Sequence, residues 1–212
     1  MFWPLTAAII AAGIGDLTAI WFGRRTWRYL FKPGTMLLII ALAATAMPEA
    51  GGYGYLVLAG LLFSVAGDIF LVLPSDRFIA GLISFFIAHL LYIVAFVAAG
   101  PFSLTDGLVV AGLITVGGLL FRRLRPGVLA HGGKGMLLPV FLYLTVISAM
   151  VLRAVMAREA LVLAGALLFY LSDGILAWDR FVRPVERANL AIMTTYFGAQ
   201  YLFALSVIHY AG

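Results

Sequence analysis

Eight stretches of this chain are apolar over lengths near the roughly 20 residues that a helix needs to cross a bilayer. They run at about 4–22, 34–48, 54–73, 78–99, 104–121, 136–156, 160–178 and 187–210. Inside lipid every backbone N–H and C=O must find a partner within the protein, so runs of this length read as helices. The reading is forced by composition: 64% of the 212 residues are hydrophobic, only 11% are charged, and the mean hydropathy is +1.11. A water-soluble domain of this size has no interior large enough for so much apolar surface. The expected fold class is therefore all-α, a polytopic membrane protein of about eight transmembrane helices. The second stretch is short and is expected to begin at Pro33, placed in the first turn of its helix. The first stretch begins almost at Met1, lacks a basic leader and is long enough to span, so it reads as a membrane helix rather than a cleaved signal peptide.

Charge sets the expected orientation. The connections after the first, third, fifth and seventh stretches hold Arg24, Arg25, Arg28, Lys32, Arg77, Arg122, Arg123, Arg125, Lys134, Arg180, Arg183 and Arg187. The opposite side has only Arg153 and Arg158. Lys and Arg gather on the cytoplasmic side of membrane proteins. Both termini are thus expected outside the cytoplasm, in a multi-pass protein of a bacterial inner membrane. The net charge of +5 follows from these loops and calls for no nucleic-acid partner. The chain has no cysteine, which excludes disulfides and thiolate metal sites.

The chain also repeats itself. "GLLFSVAGD" at 60–68 matches "GALLFYLSD" at 165–173, an offset of 105 residues. "DRF" occurs at 76–78 and 179–181, Pro33 finds a counterpart in Pro139, and "AHLLY" at 88–92 resembles "AQYLF" at 199–203. Four helices per half is an even number, so the halves are expected to be parallel repeats about an axis along the membrane normal. The basic, glycine-rich stretch 122–135 reads as a linker. It divides one transmembrane domain, 1–212, into repeats of about 1–121 and 122–212.

The repeat makes Asp68 and Asp173 counterparts. A charged residue at bilayer depth costs at least about 2.5–3.5 kcal/mol on insertion scales and is rarely idle. Occurrence in both halves argues for a role. Each lies about five residues before the inner end of its stretch, roughly 7–8 Å deep. Asp16 has a similar depth but no counterpart, and so a weaker claim. His89 and Tyr92 lie in the fourth stretch, Tyr143 in the sixth. Asn189, Met193, Tyr196 and Gln200 share one helical face of the eighth. Together they describe a polar pocket open to the cytoplasmic leaflet. Packing alone accounts for Gly60, Ser64 and Gly67, a small-residue face suited to helix contact.

The series "FKPGTMLLI", "AGLLFSVAGDIFLVLP", "FFIAHLLYIVAF", "AGALLFYLSDGILAWDRF" and "TYFGAQYLFALS" resembles the YhhN family, whose animal members are the lysoplasmalogenases. The resemblance covers nearly the whole chain, in order. It implies a multi-pass membrane hydrolase that cleaves the vinyl-ether bond of a lysophospholipid substrate, releasing a fatty aldehyde and glycerophosphocholine or glycerophosphoethanolamine. It implies catalytic roles for the aspartates of the "GD" and "SD" motifs, here Asp68 and Asp173. Its Lys-Pro corresponds to Lys32 and Pro33, and its Ala-His to Ala88 and His89.

The chemistry suits such residues. A vinyl ether hydrolyses by protonation of its β-carbon, giving an oxocarbenium ion to which water adds. The reaction needs a placed acid, nearby negative charge and a base for water. Two carboxyls in one poorly hydrated pocket resist ionising together, so one can serve as acid and the other as base. The sequence leaves open which is which. No metal and no cofactor is required. Lys32, at the inner mouth of the second helix, is expected to meet the headgroup phosphate. His89, Tyr143, Asn189, Tyr196 and Gln200 are expected to bind substrate, and apolar walls to take the chain among membrane lipid. A proton-coupled transporter of lipids or small molecules is the alternative, since parallel repeats and intramembrane acids suit carriers too. An intramembrane aspartyl protease fits poorly, because Ser172 rather than a tyrosine precedes Asp173.

Overall fold

The computed structural model describes residues 1–73 and 77–212; Asp76 of the repeated "DRF" lies outside the described residues. These residues form α1 (Phe2–Trp21), α2 (Arg25–Ala44), α3 (Gly51–Val72), α4 (Phe78–Ala95), α5 (Leu104–Gly132), α6 (Leu137–Ala157), α7 (Ala160–Phe181) and α8 (Ala188–Ala211). Seven of these helices, all but α2, are long and apolar enough to cross a membrane by length and composition. The protein is an all-α polytopic membrane protein.

Packing follows the small residues. α3 lies along α4 and α7 along α8 in the two most extensive contacts. In the first, Gly60 meets the ring of Tyr92; in the second, Gly165 meets Phe203. A side chain at either glycine would collide with that ring, which is why each pair of helices can approach so closely. Across the molecule, α2 lies against α8 and α4 against α6.

Two expected boundaries are corrected. α2 begins at Arg25, two turns before Pro33, which sits inside the helix. The added turns carry Arg28 and Lys32, which share one face. Neighbouring helices supply their counter-charges: Asp16 of α1 lies 3.5 Å from Arg28 Nε, and Asp68 of α3 lies 3.0 Å from Lys32 Nζ. Pairing offsets the cost that keeps bare cations out of apolar surroundings.

The expected linker 122–135 is instead mostly helix, the last turns of α5, with Pro126 inside it. At 1.5 Å per residue, this helix of 29 residues is about 43 Å long. A hydrocarbon core is about 30 Å thick. The helix exceeds that thickness, and Arg122, Arg123 and Arg125 toward its C-terminal end suit a headgroup region. Packing extends it: Leu124 and Val128 are fully buried in a cluster with Phe181 and Val140. Gly127 abuts the backbone carbonyl of Phe181 so closely that no other residue would fit. A position at 121/122 thus falls inside a helix.

Candidate active site

The polar residues converge at the end of the bundle where α1–α2, α3–α4 and α7–α8 are joined. Asp68 lies near the last turn of α3 and is 2% exposed. One carboxylate oxygen faces the Lys32 ammonium at 3.0 Å. The other accepts a hydrogen bond from the Tyr196 hydroxyl of α8 at 2.7 Å. Asp68 is thus held by a cation from α2 and a hydroxyl from α8.

Asp173, in the middle of α7, is held differently. Its Oδ2 accepts a hydrogen bond from the Tyr143 hydroxyl of α6 at 2.5 Å. The same oxygen lies 4.0 Å from His89 Nε2 of α4. His89 Nδ1 is 2.6 Å from the Phe85 carbonyl. A carbonyl only accepts, so Nδ1 carries the proton, a tautomer inferred from the bonding. In the neutral ring Nε2, which has no hydrogen-bond partner, then turns a lone pair toward Asp173. Tyr143 and Phe169 flank the imidazole at ring-centre distances of 5.4 and 4.6 Å. No ammonium or guanidinium is paired with Asp173 among the described residues.

Both aspartates line one cavity of about 120 Å³, together with Arg28, Lys32, Asn189 and Tyr196. That volume admits several waters, at roughly 10–15 Å³ each by the same kind of measure. A second cavity, almost wholly apolar, opens beside it and is walled by side chains that include Leu124, Tyr143 and Ile147. The two share Leu71, Phe78, Phe85, Asp173 and Leu176. Asp173 is the one acidic residue on both walls, so its carboxyl stands where a polar space meets an apolar one.

Of the residues expected at the site, Asp68, Asp173, Lys32, Asn189 and Tyr196 line the polar cavity. Tyr143 lies on the wall of the apolar one. His89 is fully buried behind Asp173. Gln200 is also fully buried but does not reach the cavity wall: it accepts from Tyr92 at 2.9 Å and donates to Ser64 at 3.1 Å. Its amide ties α3, α4 and α8 together. Lys32 reaches Asp68 rather than standing free at the mouth. The loop arginines, Arg28 among them, read from the sequence mostly as topology signals, with some of them touching phosphate; Arg28 lines the polar cavity. Its spacing of four from Lys32 was the available sign. Phe85, which lines both cavities and stands edge-on to Tyr196 at 5.9 Å, left no sign in an apolar run. Among the described residues no group of three or more His, Cys, Asp and Glu side chains could hold a metal ion.

Comparison with known proteins places this geometry in context. A model of the YhhN family matches residues 27–207. Lysoplasmalogenase TMEM86B of Homo sapiens is 41% identical over 162 residues, covering 76% of this chain and 67% of its own. The Rattus norvegicus protein of the same name is 36% identical over 209 residues, covering 98% of this chain and 85% of its own. The membrane protein YhhN of Escherichia coli O157:H7 is 38% identical over 96 residues, 45% of each chain. No solved structure matches this chain.

Proposed function

The chain belongs to the YhhN family, and from that premise we propose that it hydrolyses the vinyl-ether bond of lysoplasmalogens, with Asp173 as acid and Asp68 as base. The observation that carries the reading is the position of Asp173 on the walls of both cavities. The polar cavity takes the glycerophospho headgroup and a water. The apolar cavity takes the alkenyl chain. The vinyl ether, which joins those two parts of the molecule, then lies at the Asp173 carboxyl. The names of the curated relatives support the substrate class.

The unequal surroundings support the division of labour. Asp68, paired with Lys32, is stabilised as a carboxylate by an opposite charge. Asp173 has Tyr143 and a neutral imidazole beside it, and can hold a proton. Asp173 gives that proton to the β-carbon of the vinyl ether, leaving an oxocarbenium ion. Water adds to the α-carbon while its proton passes to Asp68. The hemiacetal then collapses: Asp68 returns the proton to the departing glycerol oxygen, and the hemiacetal hydroxyl proton restores Asp173. One water is consumed, and an aldehyde and a glycerophosphodiester leave.

We also read the chain as two parallel four-helix repeats, α1–α4 and α5–α8, with both termini outside and the polar cavity toward the cytoplasmic leaflet of a bacterial inner membrane. The matched contacts of α2 with α8 and of α4 with α6 support the repeat. A reporter active only in the cytoplasm should be silent when fused after Gly212, and a signal there would overturn the orientation.

The activity is tested with purified protein and three lysolipids of one headgroup, carrying 1-alkenyl, 1-alkyl or 1-acyl chains. Aldehyde is expected from the alkenyl lipid alone. In heavy water, promptly trapped aldehyde should carry one deuterium on the carbon next to the carbonyl, entering one face of the double bond. Absence of aldehyde, or aldehyde without that deuterium, would overturn the proposal.

A further inference from the structure

The polar cavity contains a cation that the reaction just described does not use. Arg28 lines it, and its Nε, 3.5 Å from Asp16 Oδ1, makes no hydrogen bond. Asp16 is fully buried in α1, and neither of its oxygens has a hydrogen-bond partner. The pair is an ion pair whose contact lies at the long end of hydrogen-bonding distance. A guanidinium has five N–H donors in a planar fork, and this one is steered into the cavity by a carboxylate that grips it only loosely. Of the other cations on this wall, Lys32 is committed to Asp68 at 3.0 Å and only 7% exposed, and Arg180 stands over the Phe78 ring, 4.0 Å from its centre. An anion entering the cavity therefore finds Arg28 able to turn donors toward it, while taking Lys32 would strip the counter-charge from Asp68.

We propose that Arg28 is the seat of the substrate's phosphodiester and that Asp16 is a positioning residue that holds the guanidinium at the cavity wall. This deepens the hydrolase reading and rests on it for the identity of the ligand: the anion is the phosphodiester of a single-chain lipid whose tail occupies the neighbouring apolar cavity. Arg suits the task because its fork matches two phosphate oxygens at once, which a point-charged ammonium cannot do. Asp16, fully buried and off the cavity wall, fixes where the fork stands through this long charge contact.

The test separates the headgroup from the tail. Two uncleavable probes of the same chain length, a 1-alkyl-glycero-3-phosphocholine and a 1-alkylglycerol without phosphate, are titrated into the detergent-solubilised full chain. A hydrogen bond to a charged group contributes enough for its loss to weaken binding about tenfold or more. Arg28→Gln should weaken the phospholipid probe by that factor and leave the alkylglycerol within about twofold. Asp16→Asn should shift the phospholipid probe in the same direction by less. Arg28→Lys retains the pair with Asp16 and guards against a folding defect; it should lose about fivefold, again for the phospholipid alone. In turnover of the alkenyl lipid, Arg28→Lys should raise KM more than it lowers kcat. Equal weakening of both probes would mean that Arg28 only shapes the cavity, and unchanged binding of the phospholipid would remove it from the site. Either result overturns the proposal. Selective loss of the phospholipid probe without any aldehyde from the alkenyl lipid would leave the anion seat standing and sink the hydrolase reading. Aldehyde release with unmoved binding would do the reverse.

Discussion

Asp68 and Asp173 stand on matching stretches of α3 and α7, yet the company they keep is different in kind. Each is approached by the second helix of its own half and the fourth helix of the other. For Asp68 these are α2 with Lys32 and α8 with Tyr196. For Asp173 they are α6 with Tyr143 and α4 with His89. On the proposed repeat the scaffold is two-fold and the chemistry is not. One carboxyl is bound to a cation; the other has a phenol, an imidazole and an apolar chamber. By alignment of Pro33 with Pro139, the position matching Lys32 is Leu138, which faces outward and is 62% exposed. The halves differ elsewhere around the acids too: matching 88–92 with 199–203 sets Gln200 opposite His89.

The largest effect expected from breaking this contrast is on turnover. Asp173→Asn and Asp68→Asn should each lower kcat by about 10²–10⁴, the usual contribution of a positioned acid or base. Aldehyde release under single-turnover conditions measures it, and near-normal activity in either variant would remove that residue from the mechanism. The next contrast is in stability, where the two should part. Asp68→Asn leaves the buried ammonium of Lys32 without its partner and should cost about 3–5 kcal/mol, whereas Lys32→Met combined with Asp68→Asn should regain most of it while remaining inactive. Asp173→Asn abandons no cation and should cost only about 1 kcal/mol. Denaturant-dependent melting in a fixed detergent compares the three, and equal losses for the two single variants would erase the distinction drawn here.

Smaller again is the contrast between the tyrosines. On the proposed roles Tyr196 donates to the charged acid, so Tyr196→Phe should cost about 1.5–3 kcal/mol, and Tyr143→Phe, whose hydroxyl donates to the neutral one, about 0.5–1.5. The reverse order would exchange the roles of the two acids. The smallest effect belongs to Asn189, exposed at the cavity rim. Asn189→Ala should alter kcat/KM by less than about threefold, consistent with a surface change of within 0.5 kcal/mol.

What the sequence made legible was whatever depends on local pattern. The apolar runs placed the helices of the bundle, and the repeated Gly-to-Asp spacing singled out both acids. The start of α2 was hidden because Arg28 and Lys32 look like loop residues until Asp16 and Asp68, distant in sequence, arrive to neutralise them. The end of α5 was hidden because its glycines and proline read as a linker, whereas Gly127 serves a contact with Phe181 more than fifty residues away. Gln200 looked like a ligand from its helical face, but the face turns inward at that level to meet Tyr92 and Ser64. The contrast between the two acids was hidden for the same reason: it lies in partners chosen by helix packing, not in the motifs themselves.

α5 packs against α6 and α7 alone among the other α-helices, and most of its surface is open to lipid. Its Leu120 and Leu124 also wall the apolar cavity, so one helix stands between that cavity and the bilayer. Lipid tails are about as apolar as leucine. On the proposed function, a tail moving from bilayer to cavity passes between two oils, and the hydrophobic effect contributes almost nothing to the transfer. Lengthening the chain by a methylene, which would contribute about 0.8 kcal/mol on leaving water, then leaves affinity measured per mole fraction in the membrane nearly flat. The lipid is selected at its polar end, and the membrane itself acts as the reservoir that sets how often the site is filled.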